Sequence, residues 1–174
     1  MVGLDADFLS LLLHPNPRAP YDPSTGKPVE HAKERVQHFI ETLEKGRAKI
    51  IIPTPALSEV LALAMDRASE YLTELTTSYG FDIAAFDQVA AVEAAIATSD
   101  AKKRGGKKGG SDSSWAKIKF DRQIVAICKV RGVDTVYSND EEVRKSAQRD
   151  GMIAKAVWDL PEPPPEQTDL FKGH

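Results

Sequence analysis

Short apolar strands alternate with longer helical segments along most of this chain. The pattern predicts strands at about 2–5, 48–53, 81–86, 133–138 and 156–158. Such alternation is typical of a parallel sheet whose crossover helices cover both of its faces. We therefore predict an α/β fold with a central, mostly parallel sheet.

The chain has 174 residues, which favours one domain with a substantial core. We place this domain at residues 1–160. It includes a Pro-rich segment, 14–28, interpreted as an irregular loop, and a basic segment, 103–114, rich in Gly, Lys and Ser. Residues 161–174 form a Pro-rich tail with little reason to fold alone.

Composition excludes several classes of protein. The formal net charge of −3 argues against a nucleic-acid binder that is basic overall. The only cysteine, Cys128, allows no internal disulfide and no zinc framework, and the helical pattern favours its burial as a small hydrophobic side chain. Apolar runs are shorter than the roughly 18 residues that a membrane span needs, and Asp5 and Asp7 interrupt any signal peptide. We therefore predict a cytoplasmic protein with no membrane partner.

Four acids lie where a parallel sheet would gather functional groups, beyond the carboxyl ends of its strands. Asp5 and Asp140 end strands, Glu59 begins a helix after a strand, and Asp121 lies near the start of the helix that leads to the last of these strands. Clustered acids without a basic partner are costly unless a cation neutralises them, and oxygen ligands alone favour Mg²⁺ or Mn²⁺. Taken singly, Asp121 and Glu59 are better explained as structural groups than as catalytic ones, and Asp5 and Asp140 are also explained as helix caps. For the four acids as a set, spacing alone leaves both interpretations open.

The context of these acids adds a resemblance. The segments concerned are Leu4-Asp5-Ala6-Asp7-Phe8-Leu9, Pro53-Thr54-Pro55-Ala56-Leu57-Ser58-Glu59-Val60-Leu61, Asp121-Arg122-Gln123-Ile124-Val125-Ala126 and Tyr137-Ser138-Asn139-Asp140. In this order they resemble the motifs of PIN-domain ribonucleases. The resemblance implies a three-layer α/β/α sandwich and metal-dependent RNA cleavage, as in VapC-type toxins. It makes Asp5, Glu59, Asp121 and Asp140 the metal-site acids and gives Ser138 a role in orienting water or a ligand. It also implies an antitoxin partner and a homodimer.

A local excess of basic residues precedes the Asp121 helix. It comprises Lys102, Lys103, Arg104, Lys107 and Lys108. These side chains are candidates for contacts with backbone phosphates, which would add affinity without sequence information. A solvated linker explains the same composition equally well.

Two other functions remain open. Asp5-Ala6-Asp7 also resembles the first motif of haloacid-dehalogenase-type phosphohydrolases, which would make Asp5 the nucleophile, Asp7 the acid/base and Thr54 a phosphate contact. That resemblance leaves Glu59 and Asp121 without a role. The other alternative is a non-catalytic α/β module that binds RNA or a protein through its basic segment and Pro-rich tail.

Overall fold

A five-stranded parallel sheet, in the order β5-β4-β1-β6-β7, forms the centre of the molecule. The computed structural model describes residues 1–78, 80–106, 108 and 113–164. The strands are β1 (Val2–Leu4), β2 (Tyr21–Asp22), β3 (Lys27–Pro28), β4 (Ile50–Pro53), β5 (Phe81–Ala84), β6 (Thr135–Tyr137) and β7 (Ile153–Lys155). The helices are α1 (Ala6–Leu13), α2 (Ala32–Lys45), α3 (Thr54–Ala64), α4 (Ala68–Thr77), α5 (Gln88–Lys103), α6 (Trp115–Val130) and α7 (Glu141–Arg149), with 3-10 turns at Met65–Arg67 and Val157–Asp159.

Helices cover both faces of the sheet, as the alternating sequence pattern predicts. Successive strand residues point to opposite faces, and β4 shows this clearly. Ile50 and Ile52 join the core formed with α1, α2, α3 and α4, whereas Ile51 joins the core formed with α5, α6 and α7. The predicted three-layer α/β/α architecture with a parallel central sheet is therefore confirmed.

The approach of α6 to the sheet explains why β1 contains Gly3. A Cβ atom at this position would lie 2.6 Å from the Sγ atom of Cys128, which no real contact allows. Cys128 itself is fully buried in α6, as predicted. The glycine thus allows α6 to pack directly on the central strand, and this contact fixes the position of the helix that carries Asp121.

Three local predictions differ from the structure. The Pro-rich segment 14–28 is not wholly irregular, because β2 and β3 pair there as an antiparallel hairpin. The strand predicted at 156–158 is wrong: the edge strand is β7, and a 3-10 turn follows it. The basic segment 103–114 does not begin as a linker, because its first residue, Lys103, is the last residue of α5. No helix in the described ranges has both the length and the apolar character needed to cross a membrane.

Candidate active site

Asp5 and Ser138 meet because β1 and β6 are neighbours in parallel register. Leu4 pairs with Tyr137, and the amide of Asp5 donates to the carbonyl of Tyr137 over 3.0 Å. The next residue of each strand therefore leaves the sheet at the same place. The Ser138 hydroxyl donates to Asp5 Oδ2 over 2.6 Å, while Asp5 Oδ1 caps α1 by accepting from the Ala6 amide over 2.7 Å. Strand order reverses between β1 and β6, where open parallel sheets form their ligand crevices.

Asp140 is tied to the same pair of strands. Its amide donates to the Ser138 hydroxyl over 3.0 Å. Its Oδ1 atom caps α7, accepting from the amides of Glu142 over 2.7 Å and Val143 over 3.3 Å. Because the Ser138 hydroxyl is hydrogen-bonded to both Asp5 and Asp140, it fixes the positions of these two predicted metal-site acids relative to each other.

Lys117 joins Asp140 to Asp121. Its Nζ atom lies 3.0 Å from Asp121 Oδ2 and 2.6 Å from Asp140 Oδ2. Asp121 is in the second turn of α6, one helical turn after Lys117, so both side chains point to the same side of the helix. The expectation that the acids have no basic partner is therefore wrong for Asp121 and Asp140.

Burial and the neighbouring charges shift the pKa values of these acids. Burial raises the pKa of Asp5, and the charges of Glu59 and Asp140 raise it further, against the bonds from Ser138 and Ala6. Burial also raises the pKa of Asp121 to about 6 despite the contact with Lys117, with Asp140 and Asp5 adding to the rise. For Asp140, burial is outweighed by Lys117 and by the amides of α7, and its pKa is lowered.

Glu59 lies on exposed surface in α3, near enough for its charge to act on Asp5. We call Asp5, Glu59, Asp121 and Asp140 the acid cluster. Asp5 is 5% exposed and the Asp121 side chain is 14% exposed, whereas Glu59 stands at the solvent side. Asp5 and Asp121 therefore form the buried part of the acid cluster, and Glu59 lies at its solvent-exposed rim.

Asp7 is a fifth acid beside the cluster. Its Oδ2 atom accepts the amide of Asn139 over 3.1 Å. Burial and the neighbouring charge of Asp5 raise the pKa of Asp7 to about 7. Asp7 has a predicted role only in the phosphohydrolase alternative; in the structure it fixes the backbone between Ser138 and Asp140.

The chemistry of the donors suits a hard divalent cation, because every donor is a carboxylate or hydroxyl oxygen. Within the described residues, however, no three acidic, His or Cys side chains stand close enough together to hold an ion. The ammonium of Lys117 already supplies a positive charge between Asp121 and Asp140. An ion bound by Asp5, Asp121 and Asp140 would require the Lys117 side chain, which is 43% exposed, to move away.

The predicted phosphate-binding residues are divided among different surroundings. Lys102 and Lys103 lie exposed in the last turn of α5, and Lys103 pairs with Asp100 over 3.1 Å. Arg104 and Lys108 line a cavity between α5, α6 and α7. Lys107 lies outside the described residues, as do 109–112 of the basic segment and 165–174 of the tail.

Sequence reasoning gave Lys117 no role at the site. The signal was available, because a lysine four residues before an acid in a helix reaches the same face. The pairing with Asp140, 23 positions later, was not available, because it depends on how α6 packs beside α7.

Solved structures of similar fold support this architecture. One chain of the FitAB complex bound to the IR36 DNA fragment is 20% identical, with a TM-score of 0.58 over 93% of this chain and 99% of that chain. One chain of VapBC2 from Rickettsia felis, bound to a DNA fragment from its promoter, is 12% identical, with a TM-score of 0.59 over 90% and 98% of the two chains. The DNA-bound VapBC of Salmonella typhimurium gives 16% identity and a TM-score of 0.54 over 90% and 97%.

The chain has a PIN-like fold. The overlap spans nearly the whole of each chain, so the PIN-like fold is the complete architecture and not a shared fragment. At these identities the likeness concerns the fold alone, and function must be argued from the site. No protein-family model matches the chain, and no curated protein matches it either.

Proposed function

We propose that this protein is a metal-dependent endoribonuclease that hydrolyses RNA phosphodiester bonds with Mg²⁺ or Mn²⁺. The observation that carries the proposal is the convergence of Asp5, Asp121 and Asp140 at the β1–β6 edge, where burial and mutual repulsion raise the pKa values of Asp5 and Asp121. The PIN-like fold and the order of the motifs support it. The contact of Lys117 with two of these acids counts against a preformed metal site.

In this proposal Asp5, Asp121 and Asp140 hold the ion, and Glu59 completes the site or positions water. A bound ion would lower the pKa of a water molecule and stabilise the charge that develops on the phosphate. Ser138 keeps Asp5 Oδ2 directed to the site through its 2.6 Å hydrogen bond. The half-exposed Lys117 can then move to the rim, where an ammonium would contact a phosphate oxygen.

Asn variants of Asp5 and Asp121 test this function, because each removes one charge and keeps the shape of the side chain. We expect Asp5→Asn and Asp121→Asn to lower Mn²⁺-dependent cleavage of a fluorescent RNA by at least about 100-fold, since even groups that only support metal ligands are worth about 10–100-fold. Asp66→Asn, an exposed change in the turn after α3, is the matched control. Cleavage of a circular RNA distinguishes endonuclease from exonuclease activity. Wild-type rates in both variants would rule out the site.

A non-catalytic binding module is the second candidate, and the pairing of Lys117 with Asp121 and Asp140 favours it. If that pairing is permanent, the acids are structural groups. Titration with Mn²⁺ separates the two functions: a well-folded protein that binds RNA but takes up no Mn²⁺ at the acid cluster is a module. No observation among the described residues favours the phosphohydrolase alternative, in which Thr54 would contact a phosphate; the Thr54 hydroxyl oxygen accepts the Phe86 amide over 3.1 Å.

We further propose that the protein is the toxin of a toxin–antitoxin pair, with an antitoxin as its partner. The support is the likeness to chains of FitAB and VapBC, which are two-component complexes bound to DNA. Growth arrest on expression, relieved by the product of a neighbouring gene, is the expected result; harmless expression of an active enzyme would contradict it. The homodimer and the cytoplasmic location stay predictions, the first open to light scattering after size exclusion.

A further inference from the structure

A cavity of about 130 Å³ lies between α5, α6 and α7, away from the acids of the proposed metal site. Its lining includes four basic side chains from three parts of the chain. They are Arg104, Lys108, Arg122 and Arg149. We call this the arginine cavity. Ser146 adds a hydroxyl group to the same wall.

The two acids that line the arginine cavity form ion pairs with lysines. Asp100 forms an ion pair with Lys103 over 3.1 Å, and Asp150 forms one with Lys129 over 3.3 Å. Arg104 and Arg149 form no ion pair with any residue in the described parts of the chain. Within the described residues, the positive charges of Arg104 and Arg149 are therefore not balanced by an ion pair at the cavity.

Arg122 is held in place before any ligand arrives. Its Nη1 atom donates to Thr98 Oγ1 over 3.1 Å, and its guanidinium carbon lies 5.5 Å from the centre of the Trp115 ring. Partial burial lowers its pKa, and the charges of Arg149 and Arg104 lower it further. An arginine cannot lose its proton in a protein, so such repulsion is relieved by an anion.

A smaller depression connects this cavity with the acid cluster. It measures about 30 Å³ and is lined by Asp121 together with Lys108, Arg122 and Arg149, which also line the arginine cavity. The two features therefore share three basic residues, and the smaller one is also lined by the acids Asp121 and Glu142. A ligand that extends from the acid cluster along α6 would reach the arginines directly.

We propose that the arginine cavity binds a backbone phosphate of the single-stranded RNA whose scissile phosphate lies at the acid cluster. This inference rests on the proposed nuclease function for the identity of the ligand. The planar guanidinium matches the oxygen atoms of a phosphate in a bidentate way, which lysine cannot do. This contact would add affinity for the RNA and fix the path of the strand, but it would not distinguish one base from another.

Binding without metal tests the cavity separately from catalysis. The probe is a short fluorescein-labelled oligouridylate, measured by anisotropy in EDTA at several NaCl concentrations. The variants are Arg104→Gln, Arg149→Gln and the double change, since both arginines are exposed and their replacement threatens no core contact. Each lost phosphate contact should make the slope of log K against log salt shallower by about 0.7 for a single strand. Arg47→Gln, an exposed arginine in the turn before β4, is the matched control and should leave the slope unchanged.

The outcomes separate this inference from the nuclease proposal. Shallower slopes in the arginine variants alone support the phosphate site, even if Asp5→Asn cleaves as wild type and the nuclease proposal fails. Unchanged slopes, an equal change in Arg47→Gln, or no binding by the wild type would overturn it. So would equally tight binding of poly-glutamate with the same dependence on Arg104 and Arg149, because the cavity would then recognise an acidic peptide.

Discussion

The acid cluster gathers negative side chains and the arginine cavity gathers positive ones, so each region must balance repulsion between like charges. Both gather like charges in partly buried surroundings, and in both burial, with a smaller contribution from repulsion, moves pKa values toward the neutral form: upward for Asp5 and Asp121, downward for Arg122. The acid cluster can relieve its repulsion with a proton, with Lys117 or with a metal ion. The arginines of the cavity keep their protons, so their repulsion is relieved by anionic groups such as the phosphate proposed above.

This difference makes only one of the two regions sensitive to pH near neutrality. Carboxylates with pKa values of about 6 and 7 titrate there, whereas the charge of the arginine cavity stays constant. Measurements of protein stability at different pH values and of metal binding therefore test the acid cluster. The salt dependence of RNA binding tests the arginine cavity.

Asp7→Asn should have the largest effect on stability. The folded-state pKa of Asp7, about 7, exceeds its usual value of 3.8, so the folded state binds the proton more tightly, and the free energy of unfolding falls as pH rises between these values. At pH 8 the penalty is complete. Each pKa unit is worth about 1.4 kcal/mol, so the variant should gain on the order of 2–4 kcal/mol at that pH. Its amide oxygen can still accept the Asn139 amide.

Urea unfolding at pH 5 and pH 8 measures this effect. The wild type should lose more stability than Asp7→Asn over the interval, and Asp66→Asn should follow the wild type. If Asp7→Asn and the wild type lose equal amounts, proton uptake by Asp7 is not how the acid cluster relieves its repulsion.

Lys117→Met tests how strongly Lys117 competes with a metal ion at the acid cluster. The ammonium of Lys117 contacts the two carboxylate oxygens that an ion would need, so its removal should raise Mn²⁺ affinity. We expect about a tenfold gain, or about 1.4 kcal/mol, because a half-exposed ion pair is screened by water and contributes little more. Calorimetric titration with Mn²⁺ measures the change, and Lys119→Met on the same helix is the control. Weaker binding by Lys117→Met would show that the lysine aligns the carboxylates and does not compete with the ion.

The sequence predicted those parts of the site that depend on strands. Asp5 and Ser138 each follow a short apolar strand, and parallel neighbours deliver their ends to one edge, so the 2.6 Å bond between them follows from strand order. Lys117 was missed although its spacing to Asp121 was visible. Its contact with Asp140 depends on the packing of α6 against α7, which no periodicity encodes.

The arginine cavity and the last strand could not be predicted for related reasons. The cavity combines Arg122 of α6 and Arg149 of α7 with Arg104, the residue that follows α5, and none of these residues belongs to a sequence motif. The strand at 156–158 was chosen because those residues are apolar, but β7 is an edge strand that exposes Ile153 and Lys155 to water. Edge strands have few neighbours, so their sequence pattern is weak.

Thr98→Val should give the smallest effect, and it asks how far the arginine cavity is preorganised. The change keeps the shape of the side chain and removes the oxygen that accepts from Arg122, while the contact of the guanidinium with the Trp115 ring remains. One hydrogen bond to a charged group that remains partly solvated is worth a fraction of its buried value, so oligouridylate affinity in EDTA should fall by about two- to threefold. The salt slope should stay that of the wild type, since no charge is lost. Thr73→Val on α4, whose hydroxyl bonds only its own helix, controls for the loss of a helical hydroxyl. A slope that changed with Thr98→Val would mean that Arg122 had left the cavity altogether, and that its place there depends on Thr98 more than on the ring of Trp115.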